Sequence, residues 1–208
     1  MRRLLPLMLV AAACKGAPAK APDPSTNPYK GLELMQAVKK PDFTLTDLDG
    51  KPFHFRQETD GYLTLLFFGY TNCPDVCPLH MANIGAVMRQ QPPEIANRVK
   101  VVFVTTDPER DSMAVLKAWL GRFDPQFIGL TGTHAEIVAA QEAANQLPAT
   151  KDTAAADRLA NGGYSVGHSA LVLAYTADDS LRVVYPFGIR QEDWAYDIPR
   201  LAQVGFPR

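Results

Sequence analysis

Two cysteines, Cys73 and Cys77, lie in the run Phe67-Phe68-Gly69-Tyr70-Thr71-Asn72-Cys73-Pro74-Asp75-Val76-Cys77-Pro78, between an apolar stretch and one of helical periodicity. Two chemistries are open to sulfurs at this spacing: electron exchange as a dithiol and disulfide, or binding of a soft metal ion. Pro78 has no backbone N–H and fits best in the first turn of a helix. Cys73 is therefore expected in a strand-to-helix loop and Cys77 at or just before the helix start. Free N–H groups and the positive end of the helix dipole there favour thiolate over thiol. Thiolate serves both nucleophilic attack and metal binding, so placement alone leaves both roles open.

A third donor would separate them. Two thiolates and an imidazole make a soft site suited to copper, above all Cu(I). Of the four histidines, His54 falls in an N-terminal hairpin, His134 opens a capped helix and His80 follows the cysteines by one helical turn. These three read as surface or capping residues. His168, in Tyr164-Ser165-Val166-Gly167-His168-Ser169-Ala170-Leu171, stands at the entry to an apolar strand, where it can face loops at the end of a sheet. Taken by itself it reads as structural more readily than as a ligand. Met81 and Met88 are soft donors too, but their seven-residue spacing on a helix reads as core packing.

The elements that must position these residues follow from periodicity. Phe43 to Leu48 alternates, Asp49-Gly50 supplies a turn, and Lys51 to Phe55 completes a hairpin. Tyr62 to Phe68 is too apolar for a half-exposed strand and is expected at a sheet centre. Leu79 to Gln91 predicts a helix, Val99 to Val104 a second buried strand, and Met113 to Phe123 a helix capped by Asp111 or Ser112. Phe127 to Leu130 reads as a short strand. Thr133 and Glu136 form a capping-box pattern for a helix to about Leu147. After a polar stretch from Pro148 to Gly163, Ser169 to Tyr175 and Leu181 to Phe187 flank an Asp178-Asp179 turn. A last helix is expected near Ile198 to Val204, with Pro199 in its first turn. Strands alternating with helices, and hairpins at both ends, predict an α/β domain of thioredoxin-like fold: a central mixed sheet flanked by helices, with an N-terminal β-hairpin.

Composition narrows the partners. The chain has 208 residues, 47% of them hydrophobic, enough for one ordinary core. With 21 basic against 22 acidic residues it lacks the electrostatic footprint of a nucleic-acid binder. Met1-Arg2-Arg3 followed by the apolar run Leu4 to Ala13 reads as an export signal over residues 1–13. Ten apolar residues are too few to span about 30 Å of hydrocarbon. The ending Leu9-Val10-Ala11-Ala12-Ala13-Cys14 resembles a bacterial lipoprotein signal, with Ala11 where leucine is usual. Lipidation of Cys14 would leave the other two of the three cysteines as an even pair facing an oxidising compartment. Residues 14–40, rich in Pro and Ala at their start, are expected to tether a domain spanning 41–208. Sixteen extended residues of such a tether reach roughly 50 Å.

Three segments in order, Phe68 to Pro78, Thr106-Asp107-Pro108-Glu109-Arg110-Asp111-Ser112 and Tyr164 to Ser169, together with the opening Pro41-Asp42-Phe43-Thr44-Leu45 and Asp49-Gly50, resemble the Sco/SenC group of copper chaperones. The resemblance implies a thioredoxin-like fold in which Cys73, Cys77 and His168 bind one copper ion, as Cu(I) and also Cu(II). It implies work on the dinuclear copper centre of cytochrome c oxidase subunit II, by copper delivery, by reduction of the target's cysteines, or both. A periplasmic copper donor and a thiol reductant are the further partners implied. With the export signal, this places the chain at the extracytoplasmic face of a bacterial membrane, anchored by lipid. One position departs from the family pattern: Gly167 stands where an acidic residue often precedes the histidine, so another group must orient the imidazole or it is held less firmly. Asp107 and Asp111 match the family's acidic segment, though Asp111 also reads as a helix cap; Asp75, between the cysteines, has the same two readings. Cys73 and Cys77 are close enough in sequence to close into a disulfide. The alternative is an extracytoplasmic thiol-disulfide oxidoreductase, which needs the cysteines but not His168. Thioredoxins normally show Cys-x-x-Cys and a proline just before the strand facing the site, where this chain has Val166-Gly167-His168, and peroxiredoxins carry threonine three residues before the cysteine, whereas Thr71 is two before. A structural zinc site usually takes four protein ligands.

Overall fold

Seven consecutive buried residues, Leu63–Gly69, form the strand on which the site is built. The computed structural model describes residues 28–153 and 163–206. The expected export signal, Cys14 and the start of the tether lie outside the described residues.

In chain order the first elements are β1 (Leu32–Lys39), β2 (Thr44–Asp47), β3 (Pro52–His54), α1 (Phe55–Glu58) and β4 (Leu63–Gly69). Then come α2 (Val76–Met88), α3 (Pro93–Ala96), β5 (Val99–Thr105), α4 (Met113–Leu120), β6 (Ile128–Thr131) and α5 (His134–Ala143). The last described elements are β7 (Thr150–Asp152), β8 (Ser165–Gly167), β9 (Val172–Tyr175), β10 (Ser180–Tyr185) and α6 (Gln191–Leu201). Among the described residues, eight strands make one sheet in the order β1-β10-β9-β4-β5-β6-β2-β3, and β7 pairs with β8 in a separate ribbon. β4, β5 and β6 run parallel at the centre, with antiparallel strands on either side. This is the mixed, helix-flanked sheet of the thioredoxin-like fold that the sequence predicts, with the N-terminal hairpin present as β2 and β3.

Alternation along β4 divides the core. Leu63, Leu65 and Phe67 pack with Met81, Ile84 and Val87 of α2, Trp119 of α4 and Ile198 of α6. Leu66 and Phe68 face the other way, toward Phe55, Ile137 and Ala140. Both faces are covered, which is why β4 carries no polar alternation; each such buried Leu or Phe contributes about 1.5–3 kcal/mol. Met81 and Met88 are core residues of this first layer, as expected.

Several boundaries differ from those the sequence predicts. α2 begins at Val76 rather than Leu79, so Cys77 and Pro78 lie within its first turn, where backbone N–H groups have no helical acceptor. α6 runs from Gln191 to Leu201, with Pro199 near its C-terminal end rather than in its first turn. Its start is set by Asp193, whose carboxylate accepts from the Arg190 N–H at 3.0 Å, and its buried stripe is Trp194, Ile198 and Leu201. β1 lies inside the stretch 14–40 expected as tether, so the folded unit begins before residue 41. Seven of its eight residues are exposed, which leaves no periodic signal for a strand. It is held antiparallel to β10, and the buried Asp197 carboxylate accepts from the N–H groups of Lys30 and Gly31 just before it.

Candidate metal centre

β4 ends at Gly69 and the chain turns through Tyr70 to Asp75 into α2, carrying the two cysteines past the end of the central sheet. Gly69 cannot be larger. A Cβ there would stand 2.8 Å from the Cys77 sulfur and 2.9 Å from the Phe67 ring. Cys77 is fully buried and Cys73 9% exposed; both are free thiols. The Cys77 N–H, in the first turn of α2, points at the Cys73 sulfur at 3.4 Å. The helix-end effect expected from sequence therefore acts on Cys73 through a specific donor.

His168 meets them. Its Nε2 lies 3.4 Å from the Cys77 sulfur, and the three ligand atoms of Cys73, Cys77 and His168 all fall within 4.8 Å of one another. Among the described residues this is the one group of three or more Cys, His, Asp and Glu side chains arranged to hold a metal ion. The imidazole stands edge-on to Phe67 and Tyr70, with ring centroids at 5.8 and 5.5 Å. Its Nδ1 is 2.8 Å from the Ser169 carbonyl oxygen. A carbonyl only accepts, so Nδ1 carries a hydrogen and Nε2 is the atom turned to the sulfurs. The backbone of Ser169 thus does the orienting that Gly167, having no side chain, cannot.

Local chemistry pulls the two sulfurs apart in acidity. The Cys77 thiol donating to Cys73 holds the Cys73 thiol well below its usual range, helped by the N–H groups of Cys77 and Asp75, against the opposing effect of burial. Burial pushes the Cys77 thiol up, and the adjacent Cys73 thiolate adds to the rise. One sulfur is poised as thiolate and the other stores a proton that a metal ion must displace.

Around the ligands lies a layer that sequence patterns resolve only in part. Asp111, 1% exposed, accepts from the Thr71 N–H at 2.9 Å, the Thr71 hydroxyl at 2.5 Å and the Thr105 hydroxyl at 2.7 Å. It braces the cysteine loop, and the cap of α4 is Ser112, whose hydroxyl accepts from the Val115 N–H. Burial raises the Asp111 pKa, and the three donors oppose that rise. Asp107 is fully buried beside Arg110 and Tyr164. Asp75 is exposed at the start of α2 and makes no side-chain cap. His80, expected as a surface or capping residue, is a correction: it is 2% exposed, edge-on to Phe67 and Trp194, and its Nε2–H donates to the Ala170 carbonyl at 3.1 Å. That bond ties α2 to the chain just beyond His168. The signal was available, since position 80 falls one turn after Cys77 on the face that Ile84 and Val87 share. His54 is exposed on β3 and bonds Thr44, and His134 is exposed at the first position of α5.

The profile of the SCO1/SenC family matches residues 33–203 of the chain. The SCO2-like protein of Rickettsia felis is 42% identical over 100 residues, which covers 46% of this chain and 46% of that one, so the match spans about half of that relative. The structure of Bradyrhizobium japonicum ScoI with copper bound is similar with a TM-score of 0.65 at 34% identity, covering 79% of this chain and 99% of that one. The SCO1/SenC family lipoprotein of Bacillus anthracis is similar with a TM-score of 0.63 at 25% identity, covering 82% of this chain and 99% of that one.

Proposed function

The chain belongs to the SCO1/SenC family, and on that premise we propose that it is a copper-binding metallochaperone acting in cytochrome c oxidase assembly. Copper is its cargo, held by Cys73, Cys77 and His168. The observation that carries the reading is the convergence of three soft donors, 91 positions apart between Cys77 and His168, within 4.8 Å of one another. Two thiolates and one imidazole suit Cu(I), and three protein ligands leave a coordination position for an incoming group. Loading displaces the proton held on Cys77, while the Nδ1–H stays with Ser169. Release proceeds by ligand exchange as sulfur or imidazole of the acceptor takes that position. The acceptor is the copper-centre domain of cytochrome c oxidase subunit II, and a periplasmic copper donor precedes it.

We place the protein at the extracytoplasmic face of a bacterial membrane, anchored by lipid at Cys14 after removal of residues 1–13. The family's Bacillus anthracis lipoprotein supports this placement. Among the described residues, no helix is long and apolar enough to cross a membrane.

A second reading follows from the acidity of Cys73. Its thiolate can attack a disulfide of the acceptor, forming a mixed disulfide and releasing one thiolate. Cys77, on losing its proton, then attacks Cys73 and frees the acceptor's second thiol, leaving a Cys73–Cys77 disulfide. Copper loading then requires a thiol reductant. Anaerobic titration of copper into the reduced protein, with reduction of the subunit II domain assayed in parallel, separates the two. Delivery expects His168→Ala to weaken copper binding. Unchanged affinity in that variant with persistent reduction of the partner favours the oxidoreductase.

A further inference from the structure

His168 follows β8, a strand of three residues whose only ladder among the described residues is with β7, apart from the eight-stranded sheet. A two-stranded ribbon is marginal by itself, so side chains must fix where the imidazole stands. Arg110 is placed to do this. Its Nη1–H donates to the Tyr164 carbonyl at 2.9 Å, immediately before β8, and its guanidinium lies 3.7 Å from the centre of the Tyr164 ring. Its Nε–H donates to the Asp107 carboxylate, whose other oxygen accepts from the Tyr164 hydroxyl at 2.6 Å. Arg110, Tyr164 and Asp107 thereby close a ring of contacts in which Tyr164 is gripped by carbonyl, ring face and hydroxyl. Asp107 is itself fixed, fully buried with its N–H donating to Thr105 Oγ1 at 3.0 Å. The guanidinium also lies 5.7 Å from the centre of the Tyr70 ring, which packs edge-on against His168.

An ion pair with Asp107 would be satisfied three residues away, without reaching a carbonyl 54 positions down the chain. Building on the copper reading above, we propose that Arg110 is a positioning residue for His168, clamping the entry to β8 so that Nε2 faces the two sulfurs. A lysine cannot replace it, because one ammonium lacks the planar fork that bonds a carboxylate and a carbonyl while stacking on a ring.

A double-mutant cycle tests this. Cu(I) affinity is measured anaerobically, by competition with a chelator, for the wild type, Arg110→Ala, His168→Ala and the double variant. Arg110→Ala is expected to weaken copper binding about 10 to 100-fold, as loss of a ligand-orienting partner does. In the His168→Ala background the same change is expected to cost less than about twofold, because the clamp acts only through the imidazole. Arg110→Lys should behave like Arg110→Ala. Wild-type affinity in Arg110→Ala, or equal losses in both backgrounds, overturns the proposal. Should Arg110→Ala fail to fold, Tyr164→Phe, which removes only the hydroxyl held by Asp107, replaces it in the cycle: a loss confined to the His168 background supports the clamp, and no loss or equal losses overturn it. Wild-type affinity in His168→Ala overturns the ligand set, and the clamp with it.

Discussion

Cys77 sits on a helix packed against the main sheet, whereas His168 hangs from a ribbon outside it. On the cysteine side most supports are near in sequence or part of the core: β4 leads in, Gly69 makes room, and α2 supplies the N–H that faces the Cys73 sulfur, with Asp111 as the one brace from a distance. On the histidine side one support is adjacent, the Ser169 carbonyl at the ring nitrogen, and the others bridge distant segments: His80 through Ala170, and Arg110 through Tyr164. The difference teaches where rigidity comes from in a site of this kind. Half of it is inherited from the fold, and half is assembled from side chains that bridge separate segments.

The largest expected effect tests the inherited half. Cys77→Ser should abolish tight copper binding in an anaerobic chelator competition, a loss beyond the about 10 to 100-fold that removal of a supporting group costs. Gly69→Ala attacks the same half by volume alone. Its Cβ would press on the Cys77 sulfur, and denaturant titration should show a loss of about 1–3 kcal/mol, the range for overpacked cores. His80→Phe sharpens the contrast by keeping an aromatic ring while leaving the Ala170 carbonyl unpaired. A loss of about 1–3 kcal/mol in the same assay is expected, with weaker copper binding transmitted through the chain next to His168.

Acidity supplies a fourth prediction. In the reduced, copper-free protein, absorbance at about 240 nm, where thiolate absorbs and thiol does not, should reveal one thiolate titrating below neutrality. It should be lost in Cys73→Ser and retained in Cys77→Ser only with a higher midpoint, since Cys77 is the first cause of the depression. A depressed folded-state pKa contributes stability that is fully present above the unfolded value of about 8.5 and is lost as pH falls through the folded one. Smallest of all should be Lys117→Ala. It removes an ion pair with Asp49 at 3.1 Å between two exposed side chains, and should leave both copper affinity and the thermal midpoint without resolvable change.

The two halves were also unequally legible in the sequence. Local signals identified β4, the loop and the approximate start of α2, because apolar runs and proline placement act over a few residues. His168 as a ligand came from the resemblance, not from periodicity, since the ribbon carrying it consists of three-residue strands in a polar stretch. Asp111 could be read as a cap until its three donors, from Thr71 and Thr105, were in view. β1 was hidden because an exposed edge strand carries little pattern, and its anchor, Asp197, lies 166 positions beyond Gly31. Contacts that close between distant segments leave no trace in a short window of sequence.

The central claim is that Cys73, Cys77 and His168 bind one copper ion together. X-ray absorption at the copper edge of the reduced, loaded protein tests it most directly. Two sulfur scatterers and one imidazole per copper are expected, with the imidazole signature lost in His168→Ala and sulfur reduced in Cys73→Ser. Two sulfurs alone, with a spectrum that His168→Ala leaves unchanged, would contradict it.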